Sequence, residues 1–290
     1  MGVKLVLAAI AAALAGAPPG HAVVAGGSAG SPCGWGTERS GTYSHVVAVV
    51  LENKSYGEVI GSRNAPYVNS LASRCGLATD YHAVTHPSLP NYLALVSGRT
   101  AGLDGLDCSP GPACESTART IFGQLAGDWS TFAESMPSAC DRHDAGAYLV
   151  RHNPAVYFPR LAGCRTRDLP YGRFQLSRRF TLVVPNACND MHDCSVATGD
   201  RWLAGFVPRI TGSRAFAAGR TALFVMWDED DGSAGNRVPM IVVSPYTAPG
   251  TRSSTRFTHY SALRTWERML SLPCLANACS APGMRAAFGL

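Results

Sequence analysis

Between His45 and Leu51 the chain reads His-Val-Val-Ala-Val-Val-Leu, an apolar and mostly β-branched run with no internal polar residue. It is too short for a core helix and lacks the alternation of a half-exposed strand. Such a run is at home as a strand covered on both faces, which commits the chain to a sheet with layers on either side. Three later runs resemble it: Phe180 to Val184, Thr221 to Trp227 and Val238 to Val243. Between them apolar residues return at helical spacing. Asn91 to Val96 reads as the first turns of a helix following a proline. Asp200 to Ile210 and Thr258 to Leu270 read as amphipathic helices. In the last, Tyr260, Leu263, Trp266, Met269 and Leu270 line one face. Strands alternating with helices predict an α/β fold, a three-layer α/β/α sandwich around a mostly parallel central sheet. With 46% apolar and 16% charged residues, the chain has material for a large core and is not a disordered one.

Residues 1–22 read as a secretory signal peptide. Lys4 is the one charge, Leu5 to Ala15 is apolar, Ala17-Pro18-Pro19-Gly20 breaks the helix, and Ala22 offers a small residue before a cut. The apolar run falls short of the roughly 20 residues that span a bilayer, and no later stretch reaches that length. A secreted protein without stable membrane insertion is expected. Residues 23–43 are Gly-, Ser- and Ala-rich and read as a flexible leader. Residues 44–290 read as a single domain, with a loop-rich insertion or cap within 99–175. The ten cysteines all come after the signal, and an even count in an oxidising compartment predicts up to five disulfides. Sequence proximity suggests Cys33/Cys75, Cys108/Cys114, Cys140/Cys164, Cys188/Cys194 and Cys274/Cys279, although spacing alone leaves the pairing open. No C-x-x-C occurs, which argues against structural zinc. The net charge is +5, but the arginines are scattered and form no basic run, so no nucleic-acid partner is expected.

The segments just beyond the strands are more specific. The first run leads into Glu52-Asn53. Phe180 to Val184 leads into Pro185-Asn186-Ala187-Cys188-Asn189-Asp190-Met191-His192-Asp193, and Thr221 to Trp227 into Asp228-Glu229-Asp230-Asp231-Gly232. Ligands of open α/β sheets gather beyond the carboxyl ends of the strands. If these strands are parallel neighbours, three polar clusters meet at one rim. Carboxylates brought together repel, a cation relieves that, and oxygen donors favour a hard ion such as Ca²⁺, Mg²⁺ or Mn²⁺. In Thr85-His86-Pro87-Ser88-Leu89-Pro90-Asn91-Tyr92, Pro90 suits a first helical turn and Ser88 or Leu89 falls near the N-cap. A helix N-terminus attracts anions, so a serine there, beside a cation, is placed to attack phosphorus. Other patterns fail. Gly26-Gly27-Ser28-Ala29-Gly30 matches G-x-S-x-G but has no strand before it. Asp228 to Gly232 has the wrong spacing for an EF-hand, whose final Glu would fall on Pro239. Asn53-Lys54-Ser55 is a glycosylation sequon that a role at the rim would keep free of glycan.

Val49 to Tyr56, His86 to Tyr92, Asn186 to Cys194 and Trp227 to Gly232 together resemble the bacterial phosphoesterase family, of the alkaline phosphatase-like superfamily. The family holds secreted acid phosphatases and phosphatidylcholine-type phospholipases C, and the resemblance spans about residues 44–272. Trp227-Asp228-Glu229 stands where relatives often have Tyr-Asp-Asp or Tyr-Asp-Glu. The resemblance implies an alkaline phosphatase-like fold and a divalent metal ion (Ca, Mg, Mn or Zn) held by Glu52, Asn53, Ser88, Asp228 and Glu229. It implies Ser88 as nucleophile, with a phosphoserine intermediate, and His192 as the proton donor. Asn53 and His152 would contact the phosphate, with His82 and His86 competing for such a role. Asp190 and Asp193 would orient His192, Asp230 and Asp231 would support their loop, and His259 would cap the last helix. The expected function is a secreted, metal-dependent phosphomonoester hydrolase of the acid-phosphatase type, acting on a small-molecule or lipid phosphoester. A phospholipase C-type phosphodiesterase and a non-catalytic calcium-binding module are the alternatives.

Overall fold

The computed structural model describes residues 1–2, 31–36 and 43–290. The expected signal segment beyond Gly2, and the leader apart from residues 31–36 and Tyr43, lie outside the described residues. The strands, in chain order, are β1 (His45–Leu51), β2 (Gly76–Ala78), β3 (Tyr81–His82), β4 (Trp129–Ala133), β5 (Asp168–Pro170), β6 (Phe180–Val184), β7 (Thr221–Trp227), β8 (Met240–Val243), β9 (Arg252–Ser253) and β10 (Phe257–Thr258). Eight form one sheet in the order β5-β4-β6-β1-β7-β8-β2-β9, while β3 and β10 pair separately. From β5 to β7 all neighbours are parallel. The run Val238 to Val243 becomes a strand only from Met240, and β8 is antiparallel to both β7 and β2. The reason is the connection: the residues between β7 and β8 contain no crossover helix, and a parallel return needs one.

Six of the seven residues of β1, and all of β6, β7 and β8, are buried. Alternate side chains on a strand point to opposite faces, so both faces of the sheet centre are covered. Four helices provide much of that cover. Ser88–Ser97 packs against His259–Met269, and Pro66–Arg74 packs against Val196–Thr211. Every residue of Ser88–Ser97 is buried, and Gly98 ends the helix in the left-handed region at φ +72°. The segment 99–175, expected as a loop-rich insertion or cap, supplies β4 and β5 to the main sheet. It also brings His152 to Glu52, at the carboxyl end of β1.

Register settles where the strand ends lead. Leu51 lies opposite Trp227, and Val49 opposite Val183. With β1 between β6 and β7, the segments starting at Glu52, Pro185 and Asp228 emerge side by side on one rim. Backbone bonds tie them together: Glu52 N donates to Asp190 O (2.9 Å) and Asp228 N to Leu51 O (3.0 Å). All five cysteine pairs suggested by proximity are disulfides. Cys33–Cys75 fastens residues 31–36 to the residue before β2, and Gly36 N donates to Pro245 O (2.9 Å), just beyond β8.

Candidate active site

Glu52, Asp228 and Glu229 converge on the rim, each buried, with one carboxylate oxygen apiece inside a 4.8 Å span. The Ser88 hydroxyl completes the group, lying 2.9 Å from Glu52 Oε2 and 3.2 Å from Glu229 Oε1. Asp228 Oδ1 accepts from Glu229 N (2.6 Å) and Asn53 N (3.3 Å), but its Oδ2 is buried and without a hydrogen bond. Glu52 Oε1 is likewise buried without one. Burial, then the charges of Asp228 and Asp190, push the Glu52 carboxyl well above its ordinary range. Burial also lifts Asp228 to about 7, and burial together with the Asp228 charge lifts Glu229 to about 9. Three buried carboxylates cannot all be ionised without compensation. The unpaired oxygens and the all-oxygen donor set fit a hard divalent cation.

Ser88 is the first residue of its helix, and Pro87 is the cap; the serine is therefore not itself a cap. Helical spacing puts Ser88, Asn91 and Tyr92 on one face. Asn91 Nδ2 donates to Glu229 Oε2 (3.3 Å) and to Thr85 O (2.7 Å), while its Oδ1 accepts from Val84 N and Thr85 N. That amide ties the loop before the helix to the acidic cluster. The amide of Leu89, in the first turn of this helix, donates to Asp107 Oδ1 (2.9 Å). Asn53 sits in the left-handed region at φ +52°, where asparagine is tolerated better than most side chains. Its backbone amide is anchored on Asp228, and its side-chain amide has no hydrogen bond among the described residues.

The histidines separate by environment. His152 is buried, with Nε2 3.1 Å from Glu52 Oε1, out of line for a hydrogen bond, and Nδ1 3.4 Å from Asp190 Oδ2. Its ring stacks on Tyr92 at 5.4 Å, and burial, then the Arg151 and His192 charges, holds its pKa well below the usual value. His192 is half-buried at the mouth, its ring 6.1 Å from that of His152. Asp193 Oδ1 lies 2.7 Å from His192 Nδ1, and Asp190 Oδ1 accepts from His192 N (2.7 Å). His86 reaches Glu229 (2.9 Å) and Asp230 (3.1 Å) from the exposed side of the cluster. His82 is not brought in: both its ring nitrogens face acceptors elsewhere, Asp80 Oδ1 and Gly235 O. His259 begins the helix His259–Met269, but Thr258 is its cap. Nε2 donates to Asp228 O (2.6 Å), so Nδ1 accepts from Tyr81 OH (2.9 Å), and burial lowers its pKa to about 4, which keeps this neutral tautomer. Asp230 receives Gly232, Ala234 and Asn236 amides and shapes its loop, while Asp231 is exposed and pairs with Ser233.

Some supporting residues gave no signal in the sequence. Glu134, just past β4, accepts from Asn186 N, Asn189 Nδ2 and Trp202 Nε1, and so holds the loop that carries Asp190 and His192. Buried Asp168 accepts from Thr131 Oγ1 and Asn153 Nδ2, fixing the residue after His152. Burial raises its pKa to about 6. Gly199 lets the helix Val196–Thr211 pass under the same loop: a Cβ there would meet Met191 Cγ at 2.5 Å and Asn189 O at 2.9 Å. One mechanistic clue was present in the sequence: Cys188 and Cys194 bracket the His192 loop and are joined.

A model of the Phosphoesterase family matches residues 62–273. A phosphatidylinositol-3-phosphatase of Mycobacterium tuberculosis is 36% identical over 251 residues, covering 83% of this chain and 81% of that protein. An acid phosphatase of Aspergillus fumigatus is 27% identical over 256 residues, covering 81% of this chain; the aligned region spans 56% of the fungal protein. Among solved structures, an alkaline phosphatase superfamily protein from Vibrio parahaemolyticus superimposes with a TM-score of 0.58 at 11% identity, covering 86% of this chain and 71% of that one. A phosphonate monoester hydrolase from Silicibacter pomeroyi does so with a TM-score of 0.54 at 11% identity, covering 84% of this chain and 76% of that one. At those identities the two structures speak for the fold alone.

Proposed function

The chain belongs to the Phosphoesterase family, a family of hydrolases of phosphoric esters, and from that premise we propose a secreted, metal-dependent phosphomonoesterase of the acid-phosphatase type with Ser88 as nucleophile. The observation that carries this reading is the Ser88 hydroxyl lying against both Glu52 and Glu229 beside unpaired buried carboxylate oxygens. Glu52, Asp228, Glu229 and Ser88, with Asn53 at their edge, would hold the cation. When bound, a hard divalent ion neutralises carboxylate and phosphate charge and acidifies the serine hydroxyl.

Ser88 Oγ attacks phosphorus in line with the ester oxygen, forming the serine–phosphorus bond as the phosphorus–ester oxygen bond breaks. Asn53 donates from its free side-chain amide to a non-bridging oxygen. His192, with Nδ1 turned to Asp193, has Nε2 available to protonate the departing oxygen. Water then attacks the phosphoserine with the same histidine as base, releasing phosphate and restoring the serine. His152 is buried beside Glu52 and Asp190, 3.1 and 3.4 Å from their oxygens, and stacks on Tyr92 further inside the site than His192. The mycobacterial relative is named for a phosphoinositide monoester, which supports a monoester substrate, soluble or on a lipid headgroup, over a phospholipase C diester. The calcium-binding module without catalysis gives way to family membership. The five disulfides support an oxidising location outside the cytoplasm.

Ser88→Ala tests the nucleophile. Turnover of para-nitrophenyl phosphate should fall by on the order of 10³ or more, with the circular dichroism spectrum unchanged. Full activity in the folded variant would sink the assignment.

A further inference from the structure

Asp107 does two things at the head of the serine helix. Its Oδ1 accepts from Leu89 N, the amide next to Ser88, and its Oδ2 lies 3.1 Å from Arg151 Nε. Arg151 Nε is buried. Its two terminal nitrogens have no hydrogen bond or ion pair among the described residues, and the side chain is 21% exposed. Arg151 immediately precedes His152, whose ring approaches Glu52, the carboxylate that accepts from Ser88. An arginine whose inner nitrogen faces Asp107 Oδ2 at 3.1 Å, out of line for a hydrogen bond, and whose outer fork has no partner among the described residues, is arranged to receive an anion rather than to brace the fold. The need is clear, because one amide at the helix start is already spent on Asp107 and the cluster below is acidic.

We propose that Arg151 contacts the substrate, presenting its terminal nitrogens to non-bridging oxygens of the phosphate and so favouring monoesters over diesters, with Asp107 as its positioning residue. With one non-bridging oxygen given to the acidic site and its cation, a monoester keeps two more for the Arg151 fork, whereas a diester keeps only one and cannot complete the bidentate pair. The inference takes from the reading of Ser88 only the place where the phosphate sits.

The test combines phosphate binding with two substrates. Inorganic phosphate is titrated calorimetrically, with Ca²⁺ or Mg²⁺ present, into wild-type, Arg151→Ala, Arg151→Lys and Asp107→Asn proteins. Hydrolysis of para-nitrophenyl phosphate and bis(para-nitrophenyl) phosphate is measured on the same samples. Arg151→Ala should weaken phosphate about 10–100-fold and lower kcat/KM for the monoester at least as much, while diester hydrolysis changes by less than about threefold. Arg151→Lys should fall between, keeping the charge but not the fork. Asp107→Asn should raise KM for the monoester more than it lowers kcat. Equal phosphate binding by wild type and folded Arg151→Ala, or equal loss on both esters, overturns the proposal. If Arg151→Ala does not fold, Arg151→Gln, which keeps the buried stem, carries the same comparison. If wild type hydrolyses neither ester yet binds phosphate through Arg151, the nucleophile reading falls and this inference stands.

Discussion

At Asn53 the backbone and the chemistry make separate demands, and they can be separated by mutation. The φ of +52° costs an ordinary side chain roughly 1 kcal/mol, and glycine nothing. Asn53→Gly should therefore keep the unfolding midpoint of the wild type while losing about 10–100-fold in kcat/KM, the worth of one donor to a charged oxygen. Asn53→Ala should lose the same activity and also about 1 kcal/mol of stability. Denaturant unfolding beside para-nitrophenyl phosphate kinetics reads both, and a fully active Asn53→Gly would leave the amide without a role. The residues around the cluster were unevenly legible. Glu52, Asp228 and Glu229 come directly after apolar runs, so their strands announce where they will be. Glu134, Asp107 and Arg151 had no such marker. Their partners lie 52, 18 and 44 residues away, and nothing local in their own segments names those partners.

The loop between β6 and the helix Val196–Thr211 shows how an element can be prepared for one side chain. Glu134 holds its start, Asp190 joins it to β1, and Cys188–Cys194 closes it across a sequence separation of 6. Closing so short a loop restricts the unfolded chain by about 2 kcal/mol. The double variant Cys188→Ser with Cys194→Ser should lose about that much stability in chemical denaturation, and its kcat should fall further than its KM rises, because His192 is the group released. An unchanged kcat would mean the loop is held by its hydrogen bonds alone. The strands β1, β6 and β7 match the apolar runs residue for residue because buried strands leave an uninterrupted signature. The two strands in 99–175 do not. β5 is three residues with a proline, at the sheet edge, and β4 carries Ser130 and Thr131 inside it, so neither stands out from loop.

At the scale of the molecule, the buried acidic cluster sets its stability against its composition. The same carboxylates that fit a cation repel one another in its absence, at the rim of the central strands of the main sheet. A chelated sample should melt at a lower temperature than one supplied with Ca²⁺ or Mg²⁺, with a difference near 3 kcal/mol when the ion is at about 100 times its Kd. Differential scanning calorimetry on chelated and resupplied protein measures this, and coincident transitions would count against a metal at the cluster.

The reversal of β8 also decides how the molecule stands relative to its own ends. Val243 lies opposite Leu223, near the start of β7, so the chain leaving β8 is at the pole away from Asp228. Gly36 is bonded to Pro245 at that pole, and Thr247 Oγ1 donates to Phe288 O (2.7 Å) there, two residues before Leu290. Residues 31–36 and the last residues therefore meet on the side opposite the acidic rim. A molecule tethered through residues 31–36 or through its last described residues turns its acidic rim away from the tether.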